Sequence, residues 1–308
     1  MFDIDCTLLV DFNNLAFRAF FAKEVGAYTI NPDLPLWRYI VYESVFDLLR
    51  KFKNVNGVVI AIDDKNSWRK SYFSRYKESR KKRRDNQKEV DWDLLFTTMV
   101  EYTKEIKHHM PFKVMKVRSA EADDIIGTLA LGLKGDCIIS SNDEDYLQSC
   151  SNRVKIWNPS KRELVECENP EDFLIEKCLT GQAKDDVFNV KTPNTWGQTP
   201  LTEGKRKPGL GKKTAEKIMK GGYKKWLEDN SSFKVGDIIT DCGENFKRNR
   251  ILIDFNYIPN TIKNRILDQH ENYNFPPPQN IHQFFKKYHL RGFLEDFTVV
   301  EKRLMELY

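Results

Sequence analysis

Histidine is scarce in this chain, with five among 308 residues and none in an acid-rich segment. That argues against a zinc hydrolase, whose metal is held by imidazole and thiolate ligands. The six cysteines (Cys6, Cys137, Cys150, Cys167, Cys178 and Cys242) make no CxxC pair and have no nearby His to complete a zinc set. In an intracellular protein they read as reduced core or surface thiols. Long apolar runs are also missing. The longest, such as residues 58–62, reach about five residues, against the ~20 that a membrane-spanning helix needs. The opening MFDIDCTLLVDF carries acids where a signal peptide would carry Lys or Arg, so secretion is not expected. What the chain does have is enough for a substantial core, with 40% hydrophobic residues, twenty Phe and twelve Tyr. General disorder is excluded, and the length suits one large domain or a large domain with a smaller one appended.

The formal charge of +5 conceals a strong segregation. Residues 69–84, RKSYFSRYKESRKKRR, hold nine Lys and Arg against one acid, a local charge of +8. Residues 203–225, EGKRKPGLGKKTAEKIMKGGYKK, hold nine against two, or +7, which leaves −10 for the rest. Basic zones of this density favour polyanions, most commonly nucleic-acid phosphates. A solvated helix face or a basic arm is the ordinary alternative. The interleaved Trp68, Tyr72, Phe73 and Tyr76 argue against that alternative for the first zone, and could stack on unpaired bases or pack on the body. Arg69, Lys70, Arg75, Lys81, Lys82, Arg83 and Arg84 are therefore candidate phosphate contacts. Like charge this dense predicts that the region 65–90 stays mobile until phosphates arrive.

Apolar, β-branched runs recur at 7–12, 57–62, 112–117, 137–141 and 154–157, separated by helical periodicity at 37–52, 91–109 and 120–134. Strands alternating with helices predict an α/β fold, a central mostly parallel sheet with helices on both faces. After about residue 165 helix signals dominate, broken by Gly/Pro punctuation at 192–211 and by the PPP run at 276–278. The expected division is an α/β body over 1–190, including the basic region 65–90, and a mainly helical part over 191–308.

Three of the strands end in acids: Asp11, Asp63 with Asp64, and Asp143-Glu144-Asp145. In an open α/β sheet the strand carboxyl ends share one edge, where ligands bind. Asp11, Asp63, Asp143 and Asp145 are thus expected to converge. Glu121-Ala-Asp123-Asp124 opens a helix beside them, with Glu121 and Asp124 on one face near the positive dipole end. Asp185-Asp186 follows the helical stretch 171–180. A lone Asp is ordinarily a helix cap or loop acid, but so many together would repel unless a cation neutralised them. Oxygen-only ligands point to Mg²⁺ or Mn²⁺. Two such ions about 3.5–4 Å apart activate water and stabilise a leaving phosphodiester oxygen.

The run Pro208-Gly209-Leu210-Gly211-Lys212-Lys213-Thr214-Ala215 lies between helix-like segments. Its glycines allow a tight hairpin whose amides, helix dipole and Lys side chains hold a phosphate without reading bases. It is not a Walker A loop, because Lys213 stands where Ser or Thr is required.

In this order, the strand ending in Asp, IDD, a basic helix with YKxxR, EADD, SxDxD, Gly-x-x-x-Asp and PGLGKKTA resemble the metal-dependent 5′-nucleases. These are the flap endonucleases and the 5′-exonuclease domains of bacterial DNA polymerases. WRKSYFSRYKESR and LIDFNYIPNTI look like the T-even phage ribonuclease H branch of that family, over about residues 5–290. The resemblance implies a PIN-like 5′-nuclease fold with a helix-hairpin-helix motif near 205–222. It implies metal ligation, direct or through water, by Asp11, Asp63, Glu121, Asp123, Asp124, Asp143, Asp145 and Asp185. Lys77 and Arg80 match basic groups that contact the scissile phosphate, and Arg69 a family basic position. Gly209, Gly211, Lys212 and Lys213 match the duplex-gripping hairpin, often with a bound K⁺. It further implies Mg²⁺-dependent cleavage near 5′ ends of RNA·DNA, duplex DNA or 5′ flaps by a monomer, with Mn²⁺ able to substitute. Removal of RNA primers in phage replication, in the host cytoplasm, would follow, with a single-strand-binding protein or sliding clamp as a family-type partner.

The chain departs from the family where Gly-Asp-x-x-Asp-Asn is usual. Gly181-Gln182-Ala183-Lys184-Asp185-Asp186 stands there, which weakens the second metal unless Asp186 compensates by one position. The stretch 191–207 is longer than usual and reads as a disordered loop or an extra DNA contact. Two rival readings are a non-catalytic DNA-binding replication-fork protein that keeps the fold and a PIN-like small-RNA ribonuclease. The second leaves the hairpin and the basic helix unused.

Overall fold

The computed structural model describes residues 6–21, 36–275 and 281–307. The PPP run at 276–278 lies outside the described residues.

The five expected strands form β1 (Cys6–Asp11), β2 (Val55–Ala61), β3 (Lys113–Met115), β4 (Asp136–Ser140) and β5 (Val154–Asn158). They pair in parallel, and a short β6 (Glu163–Val165) adds an antiparallel edge, giving the order β3-β2-β1-β4-β5-β6. Leu8, Leu9 and Val10 of β1 and Cys137, Ile138 and Ile139 of β4 are buried. Such runs, apolar on both faces, are what a parallel sheet covered by helices requires. The strand order reverses direction at β1, with β2 on one side and β4 on the other. The carboxyl ends of β1 and β4 therefore flank a topological switch point, where the crevice of an open α/β sheet opens.

Helices Leu36–Lys51, Trp92–His109 and Ala122–Gly132 flank the sheet at the expected places. The helix Trp92–His109 starts where Asp91 accepts a hydrogen bond from the Leu94 amide at 3.0 Å. All six cysteines are free, and burial pushes the Cys137 thiol up to about 11, so it is inert. Among the described residues no helix is long and apolar enough to cross a membrane.

The chain divides into two compact units, and the division is not the one expected near residue 190. The first unit comprises residues 1–67, 84–166 and 260–308, and the second 68–83 with 167–259. The reason lies in where the aromatics pack. Phe73 and Tyr76 of the basic segment join Leu174, Cys178, Phe188 and Phe246 in the second unit's core. Helices Ile281–Lys287 and Phe297–Met305 carry Phe284, Phe285, Val300 and Leu304 into the core of the sheet unit. There Phe293 meets Tyr42 edge-on, with centroids 4.9 Å apart.

The basic segment contains helices Trp68–Tyr72 and Glu78–Asp85. The stretch 191–207 is likewise built into the second unit, with Thr192, Trp196 and Thr202 buried. The second unit also contains a small antiparallel hairpin, Phe233–Val235 with Ile238–Thr240, in the part expected to be mainly helical.

Candidate active site

The acids at the strand ends are held by neutral polar groups that stitch the sheet edge together. Asp11, the last residue of β1, caps helix Phe12–Phe20, accepting from the Asn14 amide at 3.0 Å. Its other oxygen accepts from the Tyr146 hydroxyl at 3.1 Å. Asp63, beyond β2, accepts from Asn13 Nδ2 at 2.8 Å and from the Ala122 amide at 2.7 Å. Asp143, beyond β4, accepts from the Asp145 amide at 3.0 Å. The Asn142 amide donates to Asn14 Oδ1 at 3.3 Å. Three sheet ends and the start of helix Ala122–Gly132 are thus joined through Asn13, Asn14 and Tyr146. Composition does not single these residues out. Their only signal is position, two and three residues after Asp11 and directly after Asp145.

The acids also act on one another through their charges. Burial first, then the like charges of Asp63 and Asp143, push the Asp11 carboxyl up to about 7. Burial, with the charges of Asp11, Asp123 and Asp143, holds the Tyr146 phenol well above its usual range. A site that raises carboxyl pKa values in this way is suited to a compensating cation. Among the described residues no three His, Cys, Asp or Glu side chains gather closely enough to cage an ion. The donors available are carboxylate oxygens spread along an edge. That fits a divalent cation that keeps part of its water shell.

Asp124 also has a structural role. It is fully buried, and its carboxylate accepts from the Glu121 amide at 2.8 Å in a capping box whose other half is the Glu121 side chain. Its visible work is to start the helix. Asp64, three residues past β2, serves the same edge by accepting from the Ser119 amide at 2.9 Å.

Within the second unit, Arg80 pairs with the buried carboxylate of Asp185, so two residues expected in different roles are partners. Lys77 has a left-handed backbone (φ 55°) and its ammonium lies 4.9 Å from the Tyr76 ring centroid. Arg69 is not a surface contact. It is 1% exposed, donates from Nε to the Leu252 carbonyl at 2.7 Å, and lies over the Trp68 ring at 4.8 Å. Arg75 is also engaged, donating to the Trp196 carbonyl and to Glu78. Lys70, Lys81, Lys82 and Arg83 are exposed, whereas Arg84, in the sheet unit, lies over Phe96 at 5.7 Å. Of the aromatics, Phe73 and Tyr76 are packed, while Tyr72 is 49% exposed.

The hairpin glycines stand in open space, with nothing within 4 Å of where a Cβ of Gly209 or Gly211 would be. Gly211 caps helix Lys212–Lys220, and Lys212 and Lys213 are exposed. The residues just before Pro208 are not helical. The α-helix preceding the hairpin is Pro170–Thr180, against which Lys212–Lys220 packs. Asp186 makes no provision for Gln182 as a ligand, because its carboxylate accepts from the Ser79 amide at 2.7 Å.

The sheet unit thus carries acids at its switch point, and the second unit presents exposed lysines at a helix start. The comparisons make this specific. The N-terminal resolvase-like domain of 5′-3′ exonucleases matches residues 6–177, and the C-terminal domain of T4 RNase H matches 169–299. Ribonuclease H of Enterobacteria phage T4 is 30% identical over 290 residues, covering 91% of this chain and 90% of that protein. A 5′-3′ exonuclease of Buchnera aphidicola is 24% identical over 164 residues, 49% of this chain and 54% of its own length. The T5 D15 protein co-crystallised with metal ions shares the fold, with a TM-score of 0.61 at 19% identity, over 87% of this chain and all of that one. So does the T5 D15 flap endonuclease in complex with DNA and metal ions, with a TM-score of 0.62 at 17% identity and the same coverage. The chain belongs to the 5′-3′ exonuclease family and is a nuclease, a phosphodiester hydrolase.

Proposed function

We propose that this nuclease is Mg²⁺-dependent and structure-specific, cutting phosphodiesters near 5′ ends of RNA·DNA or DNA duplexes and at 5′ flaps. Removal of RNA primers during phage DNA replication is its proposed use. The observation that carries the reading is the carboxylate edge, where Asp11, Asp63 and Asp143 follow or end β1, β2 and β4 at the switch point of the sheet. The likeness to a phage ribonuclease H supports the RNA·DNA substrate, and the D15 flap endonuclease supports the flap.

Asp11, Asp63, Glu121, Asp123, Asp143 and Asp145 are the residues that would hold divalent cations, with Asp185 a further acid in the second unit. Such ions supply an activated water and stabilisation of the departing oxygen. The protein's own groups do the rest. Asn13 and Tyr146 fix the orientation of Asp63 and Asp11, as outer partners of metal-binding carboxylates do. Lys77 and Arg80 stabilise negative charge on the phosphate as the bond breaks. Exposed Lys212 and Lys213, with the amides after Gly211, hold duplex backbone without reading sequence.

A panel of 5′ flap, nicked duplex and RNA·DNA substrates tests the proposal. Cleavage is expected with Mg²⁺ or Mn²⁺ and none in EDTA; activity that survives chelation would overturn the metal mechanism. Replacing Lys212 and Lys213 together by Ala is expected to weaken duplex binding about equally for all sequences. The slope of log affinity against log salt should fall by about one for each phosphate that is no longer neutralised. An unchanged slope would remove the hairpin from the duplex interface.

A further inference from the structure

Helix Glu78–Asp85 buries none of its residues. An eight-residue helix with no packed face is marginal in water, so its orientation depends on whatever tethers it. The tethers come from three consecutive residues of one turn in the same unit. The Lys184 carbonyl accepts from Arg83 at 3.0 Å, and the Asp185 carbonyl from the Lys77 amide at 2.8 Å. The Asp185 carboxylate pairs with Arg80, and Asp186 Oδ2 accepts from the Ser79 amide at 2.7 Å. The turn itself is fixed. Gln182 and Val187 exchange backbone hydrogen bonds at 2.8 and 3.1 Å. Gly181 (φ 69°) approaches the Val187 carbonyl too closely to admit a Cβ.

The start of this helix needs an acceptor that its own sequence does not supply. Lys77, just before it, has a side chain that only donates. Asp186 fills that place from outside the segment, and its charge lies favourably at the positive end of the helix. We infer that Asp186 is a positioning residue for phosphodiester cleavage, capping helix Glu78–Asp85 so that Lys77 and Arg80 present their cations to the scissile phosphate. The inference rests on the reading of Lys77 and Arg80 given above. It gives the acid that replaces the family's usual Asn a role as acceptor, for which charge is dispensable.

That distinction sets the test. Asp186→Gly deletes the carboxylate while tolerating the left-handed backbone found there (φ 58°). Asp186→Ala deletes it with some strain, and Asp186→Asn keeps an acceptor without the charge. On a 5′-flap DNA with Mg²⁺, whichever deletion variant shows a wild-type melting curve is expected to lose about tenfold in kcat with KM within about twofold. Asp186→Asn should stay within about twofold of wild type. In an Arg80→Ala background the deletion should cost less than it does in the wild-type background, since one of the two groups it places is gone. Wild-type kcat in the deletion variant would overturn the inference. So would an equal loss in Asp186→Asn, which would point to charge, or losses that multiply with Arg80→Ala. An active wild type with an indifferent deletion sinks this inference alone, whereas an inactive wild type sinks the cleavage reading with it.

Discussion

Asp143→Asn is expected to stop strand cleavage, lowering kcat by more than about 100-fold, while flap DNA still binds with wild-type affinity in Ca²⁺. Loss of an outer-shell partner of a metal ligand already costs ~10–100-fold, so loss of a charged ligand should cost more. The substitution is clean for a local reason. Asp143 Oδ1 accepts the Asp145 amide at 3.0 Å, and the Asn Oδ1 accepts it equally well, so the turn after β4 keeps its cap. What disappears is one negative charge beside Asp11 at the switch point. Asp11 itself is a poorer probe, since it also caps helix Phe12–Phe20 and accepts from Tyr146. Single-turnover cleavage and fluorescence anisotropy on the same substrate make the comparison. Normal turnover in Asp143→Asn would remove the carboxylate edge from the mechanism, and a parallel loss of binding would recast Asp143 as a structural acid.

Arg69→Ala is expected to destabilise the protein by about 2–4 kcal/mol and to leave DNA affinity and its salt dependence unchanged. The guanidinium is enclosed between Trp68, Tyr76 and the Leu252 carbonyl. Truncation leaves that carbonyl without its donor and opens a void against two aromatic rings. Arg69→Lys should recover only part of the loss, because a compact ammonium does not reproduce a planar group lying over a ring. Urea denaturation followed at the second unit's tryptophans measures the first effect, and binding titrations at two salt concentrations the second. A fall in DNA affinity with an unchanged denaturation midpoint would return Arg69 to the surface.

Arg69 also shows where sequence reasoning ran out. Within RKSYFSRYKESRKKRR every cation reads alike, because burial is decided by partners far along the chain. Nothing local announces that Leu252 offers a carbonyl to Arg69, or that Trp196 offers one to Arg75. The short apolar runs were legible for the opposite reason. A parallel strand covered on both faces must be apolar throughout, so β1, β2, β4 and β5 declare themselves. β6 and the hairpin Phe233–Val235 with Ile238–Thr240 escaped notice, since three residues cannot display a period of two. The acids at the strand ends were legible because position after a strand is a sequence property. Their supports, Asn13, Asn14 and Tyr146, were not, because a bridging side chain is recognised only by the two ends it joins. Asp124 has a second role that the sequence does not announce, since its half of the capping box is recognised only once the Glu121 amide beneath it is seen.

The last helices have a consequence for synthesis. Phe284, Phe285 and Phe293 close over Tyr42, Phe46 and Tyr102, residues made some 180 to 250 positions earlier. The sheet unit therefore cannot complete its interior until residues near 300 have left the ribosome. Contacts this distant along the chain form slowly and leave aromatic surface uncovered meanwhile. A nascent chain arrested before residue 281 would carry all the acids of the candidate site on an unfinished scaffold. Competence for cleavage would then wait until these last helices have been made.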